Sequence, residues 1–179
     1  MDQMLLNKVD EWLAAHRQEI IDDLIGLVRI PSVSVPDEVV PPFGQACRDA
    51  LTYMYDLGKK HGYTSQDYDH YVGSVTFTPG EEKVGIWAHL DVVPVPDPAE
   101  WDYPPFEGTL VENRYLIGRG VQDNKMAAIG VFHVMNCLRD LGVKLRRSYS
   151  LYMGTSEETG MEDARYFTAH YPAPDLSIV

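Results

Sequence analysis

The sequence contains few cysteines, and that scarcity limits the kinds of fold it can adopt. Its 179 residues include two cysteines, Cys47 and Cys137, which lie far apart and outside any Cys-x-x-Cys unit. A disulfide framework is therefore not expected, and both thiols are predicted to be reduced.

Basic residues and long apolar runs are also scarce. Lysine and arginine number 15 against 27 acidic residues, a formal charge of -12. Because a phosphate-binding surface needs clustered Lys and Arg, a nucleic-acid partner is not predicted. No apolar run approaches bilayer length. The N-terminus also lacks the uninterrupted apolar centre of a signal peptide, since it is broken by charged residues: Asp2, Lys8, Asp10 and Glu11. We expect a cytoplasmic protein without a membrane partner, and the oligomeric state stays open.

Hydrophobic spacing predicts alternating helices and strands. Helical periodicity covers residues 5–29 and 46–61, and period-two spacing predicts strands at 71–78 and 83–88 around a Pro79-Gly80 turn. Downstream the sequence predicts a hairpin, a helix opening at Asp123, a strand, a short helix and a last strand: 109–117, 123–141, 149–154, 161–170 and 176–179. This order favours an α/β fold, a three-layer α/β/α arrangement with a mixed, mostly parallel sheet.

Acidic and imidazole side chains follow the predicted strands. His89 and Asp91 come directly after one strand, and Glu157 and Glu158 follow another. Asp123 begins the predicted long helix. Because ligands collect at the carboxyl ends of strands in open α/β sheets, these side chains are expected at one edge.

Each of these segments has two interpretations when it is considered alone. The Asp91 carboxylate could orient a metal-bound His89 ring, or the pair could simply cap backbone and start a turn. Asp123 could be a helix N-cap or could turn outward to a metal. Glu157 and Glu158 could be solvated loop acids, or one could bind metal while the other shuttles a proton.

Other polar residues are interpreted without a functional role. Lys125 could contact substrate, but it is interpreted as an exposed helix lysine. The histidines other than His89 are predicted to be surface or packing residues: His16, His61, His70, His133 and His170.

The three segments together resemble a known family. AHLDVVP (88–94), GRGVQDNK (118–125) and TSEETG (155–160) resemble the aminoacylase/carboxypeptidase-type dizinc metallopeptidases. Within that family they are most similar to the bacterial carnosinase-like dipeptidases, the dipeptidase V group. LVRIPSVS (27–34) also matches, so the resemblance covers nearly the whole chain.

The resemblance implies a role for each candidate. His89 would ligate one metal, Asp123 would bridge the pair and Glu158 would ligate the other. Glu157 would be the general base, and Asp91 would orient His89. It further implies two divalent ions, zinc first with manganese or cobalt possible, and hydrolysis of dipeptides or short peptides by a water activated between the two ions.

The resemblance also implies that 1–179 is the N-terminal portion of a catalytic domain. Family members carry a further metal carboxylate, a later histidine and an inserted lid domain, which this sequence does not contain. We therefore expect the 179-residue chain alone to be inactive. Two alternatives stay open: an N-acyl-amino-acid amidohydrolase of the same family, and a non-catalytic binding fragment.

Overall fold

The computed structural model describes residues 3–179, in which four α-helices accompany seven strands. The helices are α1 Gln3–Val28, α2 Gln45–Lys60, α3 Met126–Asp140 and α4 Glu162–His170. The strands are β1 Thr64–Tyr68, β2 Val72–Thr76, β3 Lys83–His89, β4 Thr109–Val111, β5 Tyr115–Ile117, β6 Ser148–Gly154 and β7 Leu176–Ile178. Among these residues, no helix combines the length and the apolar character needed to cross a bilayer.

Five strands form the main sheet in the order β1-β2-β6-β3-β7. The β3 strand pairs in parallel with both β6 and β7, whereas β1 with β2 and β2 with β6 are antiparallel. The predicted α/β fold with a mixed sheet is confirmed. The sheet is not mostly parallel, as was predicted, because two of its four strand pairings are parallel and two are antiparallel. The predicted hairpin also forms, as β4 and β5 in a separate two-stranded sheet.

Helices cover both faces of the main sheet, which gives the predicted three layers. The α1, α2 and α3 helices pack on one face around fully buried residues such as Leu27, Met54, Phe132 and Leu151. Fully burying each such side chain stabilises the fold by about 1.5–3 kcal/mol. On the other face, Phe167 of α4 packs in a hydrophobic cluster with Tyr68, Val72 and Tyr152. The alternation of side chains along β6 supplies both layers.

The predicted Pro79-Gly80 turn separates β2 from β3 in the sequence. These strands are not neighbours, because β6 lies between them and pairs with both. The Pro79-Gly80 segment instead passes beside the start of β6, where Ser148 N–H donates to the Glu82 carbonyl at 2.9 Å. A local turn pattern cannot show that a strand some 70 residues later enters between its two arms.

Two further elements differ from the predictions. The β1 strand was not predicted, because its TSQDY sequence is polar and exposed apart from Tyr68 and lacks the alternation of a half-buried strand. The helix predicted to open at Asp123 begins at Met126 as α3. It is preceded by a π-type turn, Val121–Lys125, in which Asp123 has extended backbone angles, φ -124° and ψ 94°.

Candidate metal centre

Parallel pairing of β3 with β6 brings two of the motifs to one edge of the sheet. His89, the last residue of β3, lies opposite Gly154, the last residue of β6, and Leu90 N–H donates to the Gly154 carbonyl at 2.9 Å. Glu157 and Glu158 follow within a few residues. The expectation that these side chains share one edge is therefore met by the geometry.

The turn before α3 delivers Asp123 to the same place. Gly120 enters the turn with φ +81°, a left-handed conformation that glycine adopts without strain. The Asp123 carboxylate is 72% exposed, and its Oδ1 lies 3.1 Å from His89 Nε2. The N-cap interpretation of Asp123 is wrong, because α3 begins at Met126 with Lys125 at its N-cap position, and Asp123 lies inside the preceding turn.

Three of the predicted side chains form a cluster with the composition of a metal site. His89, Asp123 and Glu158 each offer one ligand atom, and these atoms lie within 4.8 Å of one another. Zinc ligands lie about 2.0–2.2 Å from the ion, so two ligands of one ion are separated by up to about 4.4 Å. The cluster is therefore near the size that a divalent ion requires. Imidazole and carboxylate donors suit zinc and also accept manganese or cobalt.

The two adjacent glutamates face different spaces. Glu157 lines a cavity of about 240 Å³ together with His89 and Asp123, and its Oε2 is 3.7 Å from His89 Nε2. Glu158 lines a second cavity of about 550 Å³, in which Asp123 and Arg119 also lie. Asp123 thus borders both cavities, and the glutamate pair is divided between them, as different roles would require.

Asp91 supports this cluster from below. It is fully buried, and its Oδ1 lies 3.3 Å from His89 Nδ1, with its own carbonyl oxygen 3.0 Å from the same nitrogen. The same carboxylate accepts the backbone N–H groups of Glu157 and Glu158 at 3.1 and 3.0 Å. The His-x-Asp spacing predicted the first contact. It gave no indication of the second, by which Asp91 also holds the glutamate loop.

The electrostatics of the cluster show an excess of negative charge. Burial disfavours the charged His89 ring, but hydrogen bonding and charge from Asp91, with Glu157, outweigh it and raise the His89 pKa to about 9. Burial, followed by repulsion from Asp123, raises the pKa of Glu158. A cation placed among these carboxylates would relieve their repulsion, which fits the donor set.

Lys125 was interpreted as an exposed helix lysine, and the structure shows that this is wrong. The side chain is fully buried, and its Nζ donates to the carbonyls of Leu27 at 3.1 Å and Ile30 at 2.6 Å. Burial lowers its pKa to about 8. Spacing along the chain could not identify this contact, because its partners lie almost one hundred residues earlier.

The contacts of two further buried polar residues were also not predicted. Asp163 is buried beneath the glutamate loop and accepts the Ser156 N–H at 2.8 Å. His133 is a packing residue, as predicted, but its Nε2 contacts the Asp23 carboxylate at 2.9 Å between α1 and α3. Neither has a sequence motif that would have revealed its partner.

Comparison with known proteins agrees with this geometry. Residues 85–178 match the peptidase family M20/M25/M40. A protein named "Putative dipeptidase" from Staphylococcus epidermidis is 34% identical over 167 residues, covering 91% of this chain and 35% of the relative. One from Staphylococcus aureus strain USA300 is 34% identical over 160 residues, covering 88% and 34%.

Solved structures share the fold. Human carnosine dipeptidase 1 superposes with a TM-score of 0.75 at 24% identity, over 91% of this chain and 39% of that one. An M20 family metallo-carboxypeptidase from Sulfolobus solfataricus gives a TM-score of 0.71 at 25% identity, over 89% and 36%.

Fold and cluster together define a metallopeptidase-like α/β domain. The chain belongs to the peptidase family M20/M25/M40, which confirms the resemblance stated from its motifs. The chain spans about a third of the length of the curated relatives it matches. Membership of this metallopeptidase family implies that a divalent metal is bound. The cluster of His89, Asp123 and Glu158 is where this chain could hold it.

Proposed function

We propose that this chain supplies part of the catalytic domain of a metal-dependent hydrolase that cleaves dipeptides or other short peptides. The observation that carries the proposal is the convergence of His89, Asp123 and Glu158 at the carboxyl ends of β3 and β6. The names of the curated relatives support dipeptides as the substrate class.

The residues present fit a pair of divalent ions. His89 and Asp123 would hold one ion, and Asp123 and Glu158 the other, since Asp123 borders both cavities. Zinc is our first choice, and the same donors accept manganese or cobalt. When bound, such ions polarise the scissile carbonyl and lower the pKa of water.

The two remaining candidates are assigned proton transfer, for Glu157, and orientation of other residues, for Asp91. Glu157 has a half-exposed carboxylate beside His89. It would take a proton from the attacking water and pass it to the leaving amine. Asp91 holds the His89 ring by Nδ1, so that Nε2 faces the cluster, and holds the backbone of both glutamates.

Domain extent and location belong to the same proposal. Residues 1–179 would be the N-terminal portion of the catalytic domain, in keeping with the third of the relatives' length that they span. Both cysteines are free and buried, which suits a reducing cytoplasm. That the 179-residue chain is inactive alone stays a prediction.

The test compares two substrate types on the protein as it is natively expressed. We expect hydrolysis of dipeptides that depends on added zinc, manganese or cobalt and is abolished by a chelator. Preferential hydrolysis of N-acyl amino acids would indicate the amidohydrolase alternative. Protein that hydrolyses neither class even with these metals added, and from which elemental analysis recovers no metal, would indicate a binding fragment and contradict the proposal.

A further inference from the structure

The side chain of Asp123 does little to fix the turn in which it lies. Asp123 is 72% exposed on its side chain, and its backbone lies between the left-handed Gly120 and the first residue of α3. An exposed carboxylate is not held in place by packing. Its position therefore depends on how firmly the backbone of residues 120–125 is fixed.

Lys125 stabilises this turn through both its backbone and its side chain. Its backbone N–H donates to the Gly120 carbonyl at 3.0 Å, which joins the two ends of the turn. Its side chain then runs inward past Gly120, where a Cβ would lie 3.3 Å from the Lys125 Cδ and 2.5 Å from Val92 Cγ1. Gly120 thus leaves the space through which the lysine enters the core.

The buried ammonium attaches the turn to the end of α1. Carbonyl groups in the last turn of a helix lack intrahelical partners and carry partial negative charge. The Lys125 Nζ donates to the Leu27 carbonyl in that last turn and to the Ile30 carbonyl just beyond the end of α1. These two carbonyls also accept the backbone N–H groups of Ile30 and Ser32. Burying an unpaired ammonium is costly, so these bonds, with the nearby negative charge of Asp91, are what make the position tenable.

We infer that Lys125 is a positioning residue, whose bonds to the end of α1 fix the 120–125 turn and thereby hold the Asp123 carboxylate beside His89. The part of this inference that concerns metal binding rests on the proposed function. It assigns to Lys125 no contact with substrate and no part in proton transfer.

The test measures Zn²⁺ affinity by calorimetry and amide hydrogen exchange of residues 120–125, on natively expressed protein. The variant is Lys125→Met, which fills the same volume without a donor. The control is Ile129→Ala, since Ile129 is buried in α3 one turn after Lys125 and its truncation weakens the core without removing the hydrogen bonds of the Lys125 Nζ. Both are measured well below their unfolding temperatures.

We expect Lys125→Met to bind Zn²⁺ about 10- to 100-fold more weakly and to exchange the turn amides faster, whereas Ile129→Ala keeps wild-type values of both. Wild-type behaviour of Lys125→Met, or an equal loss in Ile129→Ala, would overturn the inference. If the wild type itself binds no Zn²⁺, the proposed function fails, and the exchange measurement alone then decides the role of Lys125. Should the Met variant not fold, Lys125→Gln, which keeps a donor and loses the charge, is measured in the same two ways.

Discussion

Asp91 and Asp123 are two aspartates at one site with opposite surroundings. Asp91 is fully buried, and its carboxylate contacts the His89 ring and two backbone N–H groups. Asp123 is 72% exposed, and its carboxylate faces two cavities beside His89. A carboxylate that already accepts several hydrogen bonds from the protein is suited to hold neighbouring groups in place. An exposed carboxylate with few protein contacts is available to bind a ligand.

The same division applies to the glutamate pair. The backbone of both residues is fixed by Asp91, while their side chains point into different cavities. One buried acid, Asp91, thus holds the backbone of both glutamates, whose side chains are the groups proposed to take part in the chemistry.

The largest expected effect separates the two glutamates. Glu157→Gln should abolish peptide turnover in the natively expressed protein while its metal content stays near wild type, because the amide cannot accept the proton. Glu158→Gln should lose metal as well as turnover, because a ligand has been removed. Metal content by elemental analysis and turnover of a dipeptide are measured together. Substantial activity in Glu157→Gln would show that the roles are assigned wrongly.

The second prediction compares the two aspartates directly through metal affinity. Asp91→Asn should lower affinity or activity by about 10- to 100-fold, the usual effect of removing a partner that orients a ligand. Asp123→Asn should weaken metal binding further, because Asp123 is proposed to contact both ions. The measurement is Zn²⁺ titration of each variant. Equal affinities for Asp91→Asn and wild type would leave Asp91 as a turn residue, and a bound structure with an Asp91 oxygen at ligand distance would make it a ligand.

Stability should show the reverse order of the two aspartates. Asp91→Ala leaves two part-buried N–H groups without an acceptor, which costs up to about 1–3 kcal/mol for each unsatisfied group. Asp123→Ala removes an exposed side chain and should change the free energy of unfolding by no more than about 0.5 kcal/mol. Urea unfolding of the metal-free proteins gives both values. If the Asp123 variant were the less stable of the two, the division into support and chemistry would not hold.

The contrast between these aspartates also shows what the sequence could predict. The alternation of helices and strands and the three motifs were sufficient to place His89, Asp123 and Glu158 at one sheet edge. They depend on local periodicity and on the rule that strand ends converge, both of which are properties of short segments.

What the sequence could not predict depends on contacts between distant segments. Lys125 follows Asp123 in what resembles a helix start, but the π-type turn shifts the beginning of α3 to Met126 and directs the lysine into the core. Its partners are carbonyl groups, which every residue possesses, so no side-chain pattern identifies them. The insertion of β6 between β2 and β3 is equally invisible to local spacing.

The smallest expected effect concerns Cys47, which lies beneath the same site. Its Sγ is buried near the carbonyls of Ser32 and Thr155, and burial, followed by the charge of Asp91, raises its pKa to about 12. The reactive thiolate is favoured only above that pKa, so at neutral pH it is essentially absent. We expect no alkylation of Cys47 by iodoacetamide in the native protein and full alkylation in urea, measured by mass spectrometry of its peptide. Rapid labelling of Cys47 in the native protein would show that the structure around Cys47 and Asp91 opens readily. Asp91 could then not be described as a rigid support in contrast to the exposed Asp123.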